Sequence, residues 1–321
     1  ASYVSPSRIT NGQVATNRWD QDRARPAHRA TGFEDEYSPQ AVAFDGSYIW
    51  VTNGRQIRRL NPVTMAQVGS AIAVEGLYLA FDGTNMWVSN FVTDTVTRIN
   101  AATGSIVGTP IAVDDGAYAM TFDGTNMWVS SLDAATVTRI NAATGSVVGT
   151  PIAVGANPRA MTFDGTNMWV ASSNASNVTA INASTGAVVT QFSVPSTPRA
   201  ITFDGRFVWV AGLTTTLTRI RPVDPYNGFG PTVAGSVTIP TNTNLSMAFD
   251  GSDVWIGSQT AGIVTRVDAA SATVTSSGTP DYARPIAEWR GMAFDGSNMW
   301  LVGGDFGPTS LYQGIWKLPT G

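Results

Sequence analysis

The chain has 321 residues, of which only 13% are charged, with a formal net charge of −4 and an isoelectric point near 5.0. This balance offers no cluster of cations for phosphate groups, so nucleic acid is not expected as a partner. The chain contains no cysteine, which excludes disulfides, thiol catalysis and thiolate metal ligands. No apolar run approaches the about 20 residues of a membrane-spanning helix, so membrane insertion is not expected.

Residues 1–37 differ in composition from the rest of the chain and are predicted to form an N-terminal arm. Nine of the 19 residues from Arg18 to Glu36 are charged, a much higher share than elsewhere. Two interpretations remain open: a leader that wraps the surface with local ion pairs, or a docking arm that binds a protein partner or a larger assembly. The docking interpretation gives these candidate partner-binding residues: Arg18, Arg23, Arg25 and Arg29.

One eight-residue unit, Thr-Phe-Asp-Gly-Thr-Asn-Met-Trp at 121–128, occurs in seven close versions. The Asp of each version lies at one of the positions 45, 82, 123, 164, 204, 250 and 295. The steps between them are 37 to 46 residues long. A period near forty indicates a repeat architecture built from small supersecondary units.

Within a repeat, short alternating apolar runs bounded by turn residues predict strands. In the third repeat these strands are 117–122, 127–131, 136–140 and 146–154. The Asp-Gly pair between the first two is a hairpin signal, because Gly accepts a positive φ and Asp bonds nearby backbone N–H groups. Seven such four-stranded antiparallel units become stable by stacking around an axis. We therefore predict an all-β fold, a seven-bladed β-propeller over residues 38–321, with the repeated Phe and Trp between the blades.

The last repeat ends after its third strand, which aligns with residues 314–321. An unpaired strand edge can pair with another chain and cause aggregation, and propellers usually cover this edge with a strand from the other terminus. We expect an N-terminal strand to close the ring, with segments 8–16 and 25–33 as the two candidates. A strand from a neighbouring molecule would serve equally well.

Two repeated polar positions are interpreted as structural. The seven Asp residues each belong to their own turn and are too dispersed to share an ion, so no metal site and no cofactor are predicted. A cation recurs on the third strand opposite the repeated Trp, as Arg98 is to Trp87, and is expected to stack on the indole. This position is occupied by Arg59, Arg98, Arg139, Ala180, Arg219, Arg266 and Lys317.

A third position differs between the copies. Five residues before each Asp, at the start of the inner strands and near one mouth of the channel, stand Gln40, Leu77, Tyr118, Arg159, Arg199, Leu245 and Arg290. The candidate ligand-binding residues are Arg159, Arg199, Arg290, Gln40 and Tyr118, which together suit a glycan or a small anionic ligand. The alternative interpretation is that they are polar channel residues bound to ordered water.

Two irregular segments, 221–231 and 279–289, precede the inner strands of the sixth and seventh repeats. Long loops on a rigid scaffold are where binding usually resides, and aromatic residues favour contact surfaces. The segments add four candidate partner-binding residues: Tyr226, Phe229, Tyr282 and Trp289.

The phrases FDGTNMWVS, VTRINAATG and VGTPIAVG resemble the bacterial propeller repeats of the YVTN, NHL and virginiamycin B lyase-like superfamily. The resemblance covers about residues 38–318 and implies the propeller fold. It implies no single activity, because that superfamily mixes enzymes with binding and surface proteins. Its lyases depend on a His acid/base and a bound metal, whereas the only histidine of this chain, His28, lies outside the repeats.

The sequence therefore favours a non-enzymatic structural or interaction protein, a rigid propeller anchored through its N-terminal arm. We expect it outside the cell or on the surface of a particle or filament. The alternative is a lyase or glycan-acting enzyme that uses the mouth of the central channel.

Overall fold

The computed structural model describes the backbone of His28 and Arg29 and residues 39–195, 197–222, 230–241, 244–259, 262–279, 288–304 and 314–320. These parts of the chain form seven antiparallel sheets, arranged as a ring of blades. The predicted all-β, seven-bladed propeller is confirmed. In the described residues, no helix has the length and apolar character needed to span a membrane.

Each blade is a meander that runs outward from the channel. The innermost strands are β2 (Ala41–Phe44), β5 (Tyr78–Phe81), β9 (Ala117–Phe122), β13 (Pro158–Phe163), β17 (Pro198–Phe203), β21 (Asn244–Phe249) and β25 (Glu288–Phe294). The second strands are β3 (Ile49–Thr52), β6 (Asn85–Asn90), β10 (Asn126–Ser131), β14 (Asn167–Ser172), β18 (Val208–Gly212), β22 (Asp253–Ser258) and β26 (Asn298–Gly304).

The third strands are β4 (Ile57–Leu60), β7 (Thr95–Asn100), β11 (Thr136–Asn141), β15 (Asn177–Asn182), β19 (Thr216–Arg221), β23 (Val264–Asp268) and β27 (Gly314–Pro319). The outermost strands are β8 (Ile106–Ala112), β12 (Ile152–Ala153), β16 (Val188–Ser193), β20 (Thr232–Thr238), β24 (Thr273–Gly278) and, in blade seven, β1 (His28–Arg29). The outermost strand of blade three is thus much shorter than the predicted 146–154.

The ring is closed by the N-terminal segment. β1 pairs antiparallel with β27, with His28 opposite Lys317 and Arg29 opposite Trp316. The closing strand comes from the 25–33 candidate and from the same chain, whereas the 8–16 candidate lies outside the described residues. Blade one has three regular strands, and its outer edge is met only by isolated bridges such as Ile57 to Ile72.

The core consists of seven apolar clusters, one between each pair of neighbouring blades. Between blades three and four, Trp128 packs with Met168 and Val170, and Phe163 covers the cluster. Between blades seven and one, Trp300 packs with Ile49 in the same way, so the closure of the ring buries apolar surface as every other junction does. All seven repeated Trp residues are fully buried. The prediction that the repeated Phe and Trp lie between the blades is confirmed.

A hydrogen-bonded clasp joins the Asp of each turn to the Trp of the same blade. In blade three, one oxygen of Asp123 accepts bonds from the backbone N–H groups of Thr125 and Asn126, and the other accepts from the indole of Trp128 at 2.6 Å. All seven blades repeat this indole bond at 2.6–2.7 Å. Gly124 follows with φ +96° and open space beside it, so the turn needs glycine for its backbone conformation.

The cation of the third strand links several blades to the next. Arg139 lies 5.5 Å from the Trp128 ring, as predicted, but its guanidinium also donates to the Ala183 carbonyl of blade four at 3.3 Å. Arg59 and Arg98 reach the next blade's turn in the same way. Lys317 donates to the Pro62 carbonyl at 2.7 Å and so joins blade seven to blade one. The sequence predicted the stacking and missed the bond between blades.

Blade four lacks this cation because Ala180 occupies the position. Phe192 of the outermost strand stacks on Trp169 instead, with ring centroids 6.3 Å apart and planes 9° apart. The indole of blade four is therefore covered by an aromatic ring, without the polar bond to the next blade.

The clasp predicts a pH-dependent effect of Trp300→Phe. Burial alone would raise the pKa of Asp295, but hydrogen bonds from the Trp300 indole and from the Ser297 and Asn298 backbone outweigh it and lower the pKa below its usual 3.8. A carboxylate with a lowered folded-state pKa stabilises the fold above its unfolded pKa and loses that contribution as the pH falls through the folded value.

Trp300→Phe removes the indole donor, so the variant should lose about 1.5–3 kcal/mol of unfolding free energy near neutral pH. The difference from the wild type should shrink as the pH falls below 3.8. Urea unfolding at a series of pH values measures it. An equal difference at neutral and acid pH would show that the loss is one of packing alone.

The cation link predicts that Arg139→Ala is costlier than loss of stacking alone. The variant should lose about 1–3 kcal/mol, because both the contact with Trp128 and the bond to Ala183 disappear. Trp128→Ala should lose about 3–5 kcal/mol, because it also leaves a cavity between the blades. Thermal and urea unfolding rank the two variants. Equal losses would mean that the guanidinium contributes as much to the junction as the whole indole.

Candidate functional site

A cavity of about 650 Å³ occupies the axis of the ring and is lined by the inner strands of all seven blades. The variable position identified in the sequence lines it in every blade, with Gln40, Leu77, Tyr118, Arg159, Arg199, Leu245 and Arg290. Two residues further along each inner strand is an apolar ring: Val42, Leu79, Met120, Met161, Ile201, Met247 and Met292. The mouth is thus polar, and the channel beyond it is apolar.

The three arginines at the mouth lie at β-bulges of the inner strands. In blade four, Pro158 pairs with Ser172 and Ala160 with the adjacent Ala171, so Arg159 is the extra residue. The same shift of register occurs at Arg199 in blade five and at Arg290 in blade seven. A bulge leaves its extra residue outside the ladder, and the same bulge occurs at Leu245 in blade six, so it is a feature of these inner strands and not of the arginines alone.

Arg159 and Tyr118 form one connected unit across the junction of blades three and four. The guanidinium lies 5.7 Å from the Tyr118 ring, and its Nη1 donates to the phenol oxygen at 3.3 Å. Its Nε donates to Asn157 Oδ1 at 2.6 Å, and Ser173 Oγ donates to the same oxygen at 2.6 Å. These bonds hold the cation in place at the mouth.

Aromatic and cationic residues occupy different arcs of the mouth. Tyr78 of blade two and Tyr118 of blade three are neighbours, with ring centroids 4.3 Å apart and planes inclined by 50°. Arg159, Arg199 and Arg290 belong to blades four, five and seven. No carboxylate is among the described residues that line the cavity.

The sequence missed a second variable position at the same mouth. Nine residues after each repeated Asp, the copies read Gly54, Phe91, Leu132, Ser173, Leu213, Gln259 and Gly304. Ser173 bonds Asn157 beside Arg159, Phe91 packs edge-on against Tyr118 at 6.5 Å, and Gln259 lines the cavity. The signal was available, because this position varies among otherwise similar repeats.

The predicted partner-binding residues have different outcomes. The ring buries Trp289 completely, and it packs edge-on against Trp316 with centroids 4.9 Å apart, so its assignment to a contact surface is wrong. It belongs to β25 and packs in the core. For Arg29, only the backbone is described. The remaining predicted residues lie outside the described residues: Arg18, Arg23, Arg25, Tyr226, Phe229 and Tyr282.

Segment 221–231 was expected just before the inner strand of blade six. It connects β19 to β20 within blade five instead.

The described residues contain no group of three or more His, Cys, Asp or Glu that could hold a metal ion. His28 is on the outermost strand of blade seven, three strands away from the channel. At about 4.8 Å per strand this places its backbone roughly 14 Å from the inner strand.

Comparisons with known proteins find the fold and not a family. No family model and no curated protein matches the sequence. Among solved structures, a catalytically inactive variant of virginiamycin B lyase from Staphylococcus aureus, with quinupristin, has a TM-score of 0.73 at 17% identity, covering 91% of this chain and 98% of that one. Hydrazine synthase of Kuenenia stuttgartiensis has a TM-score of 0.67 at 16% identity, covering 90% and 97%.

U3-55K has a TM-score of 0.71 at 12% identity, covering 92% of this chain and 99% of that one. The predicted fold-level resemblance to the virginiamycin B lyase-like propellers is confirmed. At these identities the likeness shows the fold alone, and the neighbours have unrelated descriptions.

Proposed function

We propose that this protein is a non-enzymatic structural or interaction protein, a rigid propeller displayed on the surface of a particle, filament or cell. The observation that carries the proposal is the position of β1. Because β1 is the outermost strand of blade seven, the preceding residues join the ring at its rim, away from the channel. An arm that starts at the rim can anchor the ring there.

The functional groups at the mouth support binding over proton transfer. The described lining residues present three guanidinium groups, two carboxamides, two phenols and the hydroxyl of Ser246, together with apolar side chains. Arginine keeps its proton in proteins and acts through charge and hydrogen bonds. Such a set suits the holding of a polar or anionic partner on a rigid support.

The alternative, a lyase or glycan-acting enzyme at the channel mouth, has one structural observation in its favour. Arg159, Arg199 and Arg290 all line the same cavity. An enzyme would convert a bound ligand, so chromatography of each candidate ligand after incubation with the protein distinguishes the two functions.

The anchoring role predicts separate outcomes for two deletions. Removal of residues 1–24 keeps β1, so the ring should melt at the wild-type temperature. The truncated protein should nevertheless be lost from the particle or cell-surface fraction of the source organism. Removal of residues 1–37 also deletes β1 and exposes the edge of β27, so it should lower the melting temperature as well.

A matched control replaces residues 1–24 with a Gly-Ser linker of equal length, which keeps the length of the arm without its charges. This control should also be lost from the surface fraction. A ring lacking residues 1–24 that still fractionates with the particle or cell surface would contradict the anchoring role. Wild-type protein found only in the soluble fraction would contradict surface display itself.

A further inference from the structure

The mouth of the channel combines two chemical characters on opposite sides of one opening. Arg159, Arg199 and Arg290 belong to blades four, five and seven, and the Tyr78 and Tyr118 pair belongs to blades two and three. Arg159 connects the two arcs, because it contacts the Tyr118 ring. A ligand that spans the mouth therefore meets cations at one end and aromatic rings at the other.

The cationic arc selects for negative charge. Each guanidinium carries a full positive charge and five N–H donors, so it can bind a ligand oxygen while keeping its bonds to the protein. Carboxylate, like phosphate, has two oxygens that match the guanidinium fork. The described lining contains three guanidinium groups and no carboxylate.

The aromatic arc and the size of the opening select the body of the ligand. The two Tyr rings provide apolar faces with hydroxyl groups at their edges, which suits a body that has both C–H faces and hydroxyls. Gln40 and Gln259 add amide groups that can pair with hydroxyls. The cavity of about 650 Å³ is in the range of roughly 300–1,000 Å³ that is common for small-ligand sites.

We infer that the channel mouth binds an acidic saccharide, with its carboxylate on the arginine arc and a sugar ring against Tyr78 and Tyr118. This site concerns the ring alone and is independent of the arm. Failure of the arm deletions therefore leaves it intact, and failure of saccharide binding leaves the anchoring role intact.

Two matched pairs of ligands test the inference by isothermal titration calorimetry on the full chain. Trigalacturonate is compared with its methyl ester, and sialyllactose is compared with its methyl ester, so that each pair differs mainly in the charge of the carboxyl group. Inorganic sulfate is the fifth probe, because it carries charge without a sugar body. At least one acid should bind more tightly than its neutral counterpart and more tightly than sulfate, and added salt should weaken it.

Variants locate the site. Arg199→Gln and Arg290→Gln should each raise the Kd of the bound acid about ten- to a hundredfold, because each removes a charged hydrogen bond. Arg199→Lys keeps the charge and loses the fork, so it should lie between Arg199→Gln and the wild type. Tyr78→Leu should weaken the binding of the saccharide and leave the binding of sulfate unchanged.

Arg206→Gln is the matched control. Arg206 is exposed in the Asp-Gly turn at the other end of β17, so its loss removes the same charge from the protein but not from the mouth. It should leave the Kd unchanged, and thermal melting checks that every variant folds.

Four results would overturn the inference. The first is that neither acid binds at millimolar concentration, and the second is that neither binds more tightly than its neutral counterpart. The third is that sulfate binds as tightly as both acids, which leaves a general anion site without saccharide selectivity. The fourth is that Arg206→Gln weakens binding as much as Arg199→Gln does, which makes the effect one of net charge.

Discussion

The hydrogen bond from each Trp indole to the carboxylate of its own Asp-Gly turn is the interaction on which the ring depends. A fully buried indole N–H needs an acceptor, and an orphaned donor costs about 1–3 kcal/mol. Asp123 supplies that acceptor to Trp128 while it also holds its own turn. Because Trp128 packs on the next blade, the bond stabilises the hairpin and also fixes the orientation of the Trp128 side chain, which joins the two blades. The same bond occurs in all seven blades.

The cation on the third strand adds a polar link to several of the apolar junctions. Arg98 and Arg139 approach the turns of the following blades so closely that a Cβ at Gly145 or Gly186 would meet the guanidinium at 2.6 and 2.8 Å. The cation does not require a glycine turn in the next blade, because Lys317 bonds Pro62 in the turn 61–65, which has no glycine. In blade four, where Ala180 stands in place of the cation, Phe192 covers the indole instead.

The sequence predicted what depends on local patterns. The period, the Asp-Gly turns and the alternation of apolar residues are local, and they were enough for the blade count, the core Trp residues and the cation over the indole. Contacts between distant residues were not predictable in this way. The second role of Asp123 depends on Trp128 folding back over the turn, and the bond from Arg139 to Ala183 joins residues 44 positions apart. Trp289 resembled a loop residue because its neighbours do, although the inner strand begins at Glu288.

The two ends of the propeller differ in how far the seven copies may diverge. At the turn end, each copy needs the same Asp, Gly and Trp, because a change there would disturb both a turn and a junction. At the mouth, a bulge removes the backbone of Arg159, Arg199 and Arg290 from the ladder, so the pairing of the strands does not depend on which side chain stands there. These positions can vary at little cost to stability, and that is where the copies do vary. In such a repeat protein, the side chains at one face can differ from blade to blade, while the residues at the opposite face stay the same and hold the blades together.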